Sequence, residues 1–76
     1  MTGLGEIHRE HWAGVVAILA RTFRDLDLAE DAAGDAFASA VSHWPSEGIP
    51  DNPRAWLLTV GRNSAIDRLR REAARD

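Results

Sequence analysis

All three prolines of the chain lie within nine residues, at positions 45, 50 and 53, and Gly48 lies among them. Proline lacks a backbone N–H and clashes with the preceding helical turn, so this segment is expected to interrupt regular structure and to stiffen the backbone. The segments on either side show the periodicity of helices rather than the alternation of strands. The chain is therefore predicted to be all-α, a compact three-helix domain with a Pro/Gly-containing loop between helices 2 and 3.

Capping signals bound the predicted helices. Asp27 with Glu30 is an acidic capping box, and Asn52 followed by Pro53 is an N-cap with proline at the first helical position. The predicted spans are about 6–23, 27–45 and 53–74.

Apolar residues at helical spacing predict the core. Trp12 and Trp44 are expected to anchor it, and the many alanines of the second helix indicate close helix packing. Arg62 is predicted to form a partly buried structural ion pair. The other residues predicted to face inward are His8, Val15, Val16, Leu19, Phe23, Ala29, Ala33, Ala36, Phe37, Ala40, Val41, Leu57, Val60, Ala65, Ile66, Leu69 and Ala73.

Several classes of function are not supported. The chain has 76 residues and no cysteine, which leaves room for one domain and excludes disulfides and thiolate metal sites. His8 and His11 with Glu10 lack a third ligand at useful spacing, so no metal or other cofactor is expected. No nucleophile is paired with a base, so an enzyme is not expected. Without a bilayer-spanning run or a signal peptide, no membrane association and a cytoplasmic location are expected.

Charge is divided unevenly along the chain. Residues 1–51 carry three Arg and nine acidic residues, whereas residues 52–76 carry six Arg and three acidic residues. On the second helix, Asp31 and Asp35 are four residues apart with Gly34 between them, a locally unfavourable arrangement that suits a basic partner. The alternative is that Asp31 complements the helix N-terminus and Asp35 is solvated.

The third helix carries a line of polar residues that is predicted to face outward. Ser64, Arg68, Arg71 and Arg75 follow helical spacing with Asn63 at their head, an arrangement that suits phosphates and base edges. The alternative is a solvated face on which Asp67 pairs with Arg71. Trp56, next to the loop, is open to both base stacking and core packing.

Two sequence elements together resemble region 2 of extracytoplasmic-function (ECF) RNA polymerase sigma factors. They are the run from Leu28 to Ala32 with Asp35-Ala36-Phe37, and the run from Ala55 to Leu58 with Arg62-Asn63 and residues 65–71. The resemblance covers about residues 7–72. It implies a single sigma region 2 domain over 1–76, an N-terminal fragment of a longer factor without region 4.

The resemblance also implies partners and site residues. In the family, the second helix docks on the clamp helices of the largest polymerase subunit, which here implies Asp31 and Asp35, with Gly34 where the family usually has Gln. The third helix and the preceding loop hold the non-template strand of the promoter minus-ten element. The residues implied for DNA are Asn63, Arg68, Arg71, Arg75, Trp56, Ile49, Asp51 and Asn52.

Two further expectations stand beside this interpretation. The 45–53 loop resembles that of the subgroup with a long C-terminal extension in place of a dedicated anti-sigma partner, so either kind of regulatory segment is a possible partner. The alternative function is a helical protein interaction module or homodimer without DNA binding, using the acidic and basic faces against each other.

Overall fold

In a computed structural model that describes residues 4–75, these residues form three α-helices and no strand. The helices are α1 (Leu4–Phe23), α2 (Leu26–Glu47) and α3 (Pro53–Ala74). Each helix contacts both of the others, and the contact between α2 and α3 is the most extensive. The prediction of an all-α three-helix domain is confirmed. Within residues 4–75, none of the helices combines the length and the hydrophobicity that a membrane-spanning helix needs.

The core combines small residues on α2 with a few large residues from the other helices. Val15, Leu19 and Leu57 are the largest fully buried side chains. A Cβ atom added at Gly61 would lie 3.0 Å from Cδ1 of Leu19 and 3.8 Å from Cβ of Ala36. Short side chains at these contacts let the helices approach closely. The fully buried alanines are Ala29, Ala32, Ala33, Ala36, Ala40 and Ala65.

Two glycines in helix interiors are expected to respond oppositely to alanine. Gly34 is exposed and a Cβ there meets nothing within 4 Å, so Gly34→Ala should raise the free energy of unfolding by about 1 kcal/mol. Gly61→Ala gains the same helix propensity but presses on the buried Leu19, which must shift. Urea denaturation should therefore show a higher midpoint for the first variant and no comparable gain for the second. Equal gains would contradict the close approach at Gly61.

The start of α2 differs from the prediction. Asp25, not Asp27, is the N-cap, and its carboxylate accepts a hydrogen bond from the backbone N–H of Leu28 at 3.0 Å. Arg24 takes the left-handed conformation, with φ of 56°, so the chain reverses direction within two residues. Asp27 already lies inside the helix, and the predicted capping box with Glu30 is wrong.

The end of α2 also differs, because the helix continues past Pro45 to Glu47. The backbone N–H of Gly48 donates to the carbonyl of Trp44 at 2.8 Å, and Gly48 ends the helix with φ of 90°. The loop is therefore limited to residues 48–52. The start of α3 agrees with the prediction, since Asn52 accepts from the N–H of Ala55 at 3.1 Å.

Some residues predicted to face the core are exposed. Val41 is 58% exposed, Leu69 is 42% exposed, and Ala73 is exposed as well. The last turns of α3 thus lie beyond the core that buries Ala65.

The predicted tryptophan anchors differ in burial. Trp44 is 4% exposed and packs edge-on against Trp56, with ring centroids 5.1 Å apart, so its anchoring role is confirmed. Trp12 is half-buried at the edge of the core, where it contacts the rings of Phe37 and His8. His8 itself is exposed, contrary to the prediction.

Candidate functional site

A cluster of polar side chains joins α2 to α3. Nε of Arg68 donates to Oδ2 of Asp35 at 2.9 Å, and Nη2 of Arg68 donates to Oδ1 at 3.1 Å. The hydroxyl of Ser64 donates to the same carboxylate. Asp31 lies 3.8 Å from Nη1 of Arg68. Asp35, Ser64 and Arg68, called the interhelical clasp below, thus form a two-pronged ion pair with one additional donor.

The clasp corrects two predictions about geometry. Asp35 is predicted to face either a basic partner molecule or solvent, and Arg68 is predicted to face outward. The structure instead pairs them, because Asp35 lies at the edge of α2 that borders α3 and Arg68 lies on the facing edge of α3. The two residues are 33 positions apart in the sequence, so the periodicity of either helix alone does not predict their contact.

The clasp lowers the pKa of Asp35 below its ordinary value. Hydrogen bonds from Arg68 are the main cause, partial burial opposes them, and the hydrogen bond from Ser64 adds to the lowering. Because the folded-state pKa is the lower one, ionised Asp35 stabilises the fold above its unfolded pKa and loses this effect as the pH falls through the folded pKa.

A pH dependence of unfolding is therefore expected from Asp35. The difference in unfolding free energy between the unaltered chain and Asp35→Asn should be constant above about pH 5 and should shrink below about pH 4. Chemical denaturation at several pH values measures this difference. A difference that grows on acidification would contradict the pairing with Arg68.

The other two predicted arginines are exposed and lie on the side of α3 that borders the start of α2. Nη2 of Arg71 lies 2.7 Å from Asp67 on the same helix, as the alternative interpretation predicted. Arg71 and Arg75 line a cleft of about 420 Å³ between the start of α2 and the end of α3. Asp25 and Asp27 line the opposite side. The arginine line therefore borders acidic residues of α2.

A different set of α3 residues faces solvent away from α2. Thr59, Arg62, Asn63 and Arg70 are all exposed and repeat at helical spacing; they are called the outer stripe of α3 below. Arg62 forms no ion pair within the described residues, so the predicted buried pair is wrong. The prediction omitted Thr59, Arg62 and Arg70 as site residues.

The sequence contained the signal that identifies this stripe. Leu57, Gly61 and Ala65 are buried and four residues apart, which defines the inner side of α3. Residues about half a turn from that line must face outward. The prediction instead placed weight on Leu69 and Ala73, which lie beyond the core.

The side of α2 away from the core carries acidic residues in its first half and small or apolar residues in its second half. Asp31 has a side chain that is 63% exposed, and Gly34 is also exposed. This side is called the outer face of α2 below. Its exposed residues are Asp27, Glu30, Asp31, Gly34, Ala38 and Val41.

Three residues of the predicted site lie in the loop; two of them are exposed and the third caps a helix. Ile49 is 47% exposed and Asp51 is exposed. The side-chain oxygen of Asn52 caps α3, so it already has a donor, as the alternative interpretation of this residue predicted. Trp56 is half-buried against Trp44, which favours packing over free stacking.

An arginine at the start of α3 holds this end of the helix on α1. Nε of Arg54 donates to Nδ1 of His11 at 3.1 Å, and Nη2 donates to the carbonyl of Glu10 at 3.3 Å. The guanidinium lies over Gly14, where a Cβ would come within 2.8 Å. His11 is thus engaged in a structural contact, and the described residues contain no group of three metal-ligating side chains.

One comparison with known proteins identifies a domain type. Residues 7–75 match the family model described as Sigma-70 region 2. Over 55 residues, the chain is 53% identical to an uncharacterized protein of Rhizobium meliloti (strain 1021). This match covers 72% of the chain and only 13% of the relative's length. No solved structure matches the chain significantly.

Proposed function

Because the chain belongs to the sigma-70 region 2 family and is thus a transcription initiation factor domain rather than an enzyme, we propose that it acts in an ECF sigma factor. In this proposal it docks on the clamp helices of the largest RNA polymerase subunit and holds the non-template strand of the minus-ten element. The single observation that carries the proposal is the family match over residues 7–75.

The outer face of α2 suits the polymerase contact. Asp31 and Glu30 present carboxylates to solvent, and Gly34 adds no side chain that would keep a partner helix at a distance. Val41, 58% exposed, adds an apolar contact at the other end of the face. Acidic residues beside a small, partly apolar surface fit a helical partner that carries basic side chains.

The outer stripe of α3 and the loop suit the DNA contact. Arg62 and Arg70 are exposed cations without an intramolecular partner in residues 4–75, so both are available to phosphates. Asn63, between them, offers an amide donor and acceptor to a base edge. Ile49 and Asp51 lie in the loop that precedes the helix. These residues replace Arg68, Arg71 and Arg75 in the proposed DNA surface.

The domain is also proposed to be part of a longer protein. The chain spans about 13% of the length of the curated relative it matches. A segment outside this domain then supplies the remaining functions of the factor, including any contact with the minus-thirty-five element or any regulatory extension.

Charge reversal at Asp31 tests the polymerase contact. Loss of one charge-assisted contact costs about 1.5–3 kcal/mol, so Asp31→Lys should weaken binding to core polymerase by about tenfold or more. Asp67→Lys is the matched control, because the two side chains are 63% and 64% exposed and Asp67 lies on α3. Affinity is measured by fluorescence anisotropy of the labelled chain, with circular dichroism to confirm folding. Equal effects of the two variants would place the contact elsewhere.

A further inference from the structure

The two charged residues of the clasp were predicted to contact different partners, Asp35 the polymerase and Arg68 the DNA. Asp35 accepts three hydrogen bonds, two from Arg68 and one from Ser64. Arg68 directs its planar guanidinium at that carboxylate. Both charged groups are engaged within the domain, so neither is free to contact polymerase or DNA without breaking the clasp.

The clasp lies where apolar packing between α2 and α3 ends. On the N-terminal side of the clasp, Gly61 packs on the alanines of α2 and Ala65 is fully buried. On its C-terminal side, Leu69 is 42% exposed. The hydrophobic effect itself is non-directional, and the exposed Leu69 contributes little close packing at this end of α3. A two-pronged pair of guanidinium and carboxylate has a defined geometry, so it restricts that rotation.

The clasp is also adjacent to the proposed DNA surface. Ser64 directly follows Arg62 and Asn63 in the sequence, and Arg68 precedes Arg70 by two residues. On a helix these neighbours point to different sides, so fixing Ser64 and Arg68 against α2 fixes the direction of the outer stripe. Within residues 4–75, the ion pairs between helices all involve Arg68.

We infer that Asp35 is a positioning residue for DNA recognition: through Arg68 and Ser64 it sets the rotation of α3, and with it the direction of Arg62, Asn63 and Arg70. This inference rests on the proposed function. The inference assigns Asp35 a role in DNA binding, although Asp35 lies on α2, the helix proposed to contact polymerase.

Two affinities distinguish this role from a polymerase contact. The probe is a single-stranded DNA selected from a random pool by the complex of core polymerase with the unaltered chain. Asp35→Asn should weaken binding of this strand to the complex by about tenfold and leave polymerase affinity unchanged within about twofold. The double variant Asp35→Arg/Arg68→Asp, which reverses the pair, should recover most of the loss. Asp67→Asn, which opens the exposed pair within α3, should change neither affinity.

A measurement without DNA separates failure of this inference from failure of the proposed function. Amide chemical shifts of residues 59–70 should move in Asp35→Asn and return toward their original values in the reversed pair. If the unaltered complex selects no strand, the proposed function is wrong, and the shifts alone decide the positioning role. Ser64→Ala keeps the ion pair and should show a smaller change, which covers a failure of Asp35→Asn to fold. Weaker polymerase binding with unchanged DNA binding, or unmoved shifts, would overturn the inference.

Discussion

Trp44→Ala should destabilise the domain by about 3–5 kcal/mol, the range for removal of a large buried aromatic side chain. A chain of 76 residues is expected to have a total stability of about 4–11 kcal/mol, so most of it is lost. Trp44 is 4% exposed and joins α2 to α3 through its edge contact with Trp56. Urea denaturation followed by circular dichroism measures the loss.

Two variants serve as controls for this loss. Val41→Ala, one turn earlier on α2 and 58% exposed, should change stability by less than about 0.5 kcal/mol. The second control, Trp44→Phe, removes less side-chain volume because it keeps an aromatic ring. It also removes an indole N–H that is buried without a partner in the described residues. Because an unpaired buried donor is itself unfavourable, Trp44→Phe should cost much less than Trp44→Ala. Equal losses for Val41→Ala and Trp44→Ala would contradict the placement of Trp44 in the core.

Reversing both Arg62 and Arg70 to Glu should weaken binding of the selected single strand by about a hundredfold or more in the presence of polymerase. Each charged hydrogen bond contributes about 1.5–3 kcal/mol, and the reversed charges also repel phosphate. Two phosphate contacts on a single strand give a log–log salt slope of about −1.4, which the double variant should flatten. Anisotropy titrations at several salt concentrations measure both quantities.

The matched control reverses the two arginines that border α2. Arg71→Glu with Arg75→Glu makes the same change in net charge on the same helix, but these residues line the cleft beside Asp25 and Asp27. The loss of DNA affinity should be clearly smaller than for the outer stripe. A larger loss would show that Arg71 and Arg75, and not Arg62 and Arg70, contact the strand.

The fold follows from features that are local in the sequence. Helical periodicity, the Asn52–Pro53 start of α3 and the alanines of α2 each depend on residues within a few positions, and all are present in the structure. The family resemblance, carried by motifs on α2 and α3, agrees with the family match. Local rules were sufficient where no distant residue competed with them.

The differences arise where tertiary contacts decide. Pro45 remains helical two residues before the end of α2. Its missing N–H removes one hydrogen bond, to the carbonyl of the exposed Val41, while the burial of Trp44 holds this turn against the core. Arg24 adopts a positive φ although it is neither Gly nor Asn, so its residue type does not indicate the turn that places Asp25, rather than Asp27, at the N-cap. The pairing of Asp35 with Arg68 depends on how two helices are apposed, which the periodicity of either one does not determine.

Selection of single-stranded DNA from a random pool is the most direct test of the central claim, that this domain holds a specific non-template strand when it is docked on polymerase. Core polymerase with the chain should enrich a short motif, whereas polymerase alone, the chain alone, and polymerase with the Arg62→Glu/Arg70→Glu variant should not. A pool that stays random with the complex, or one enriched equally with the variant, would contradict the claim.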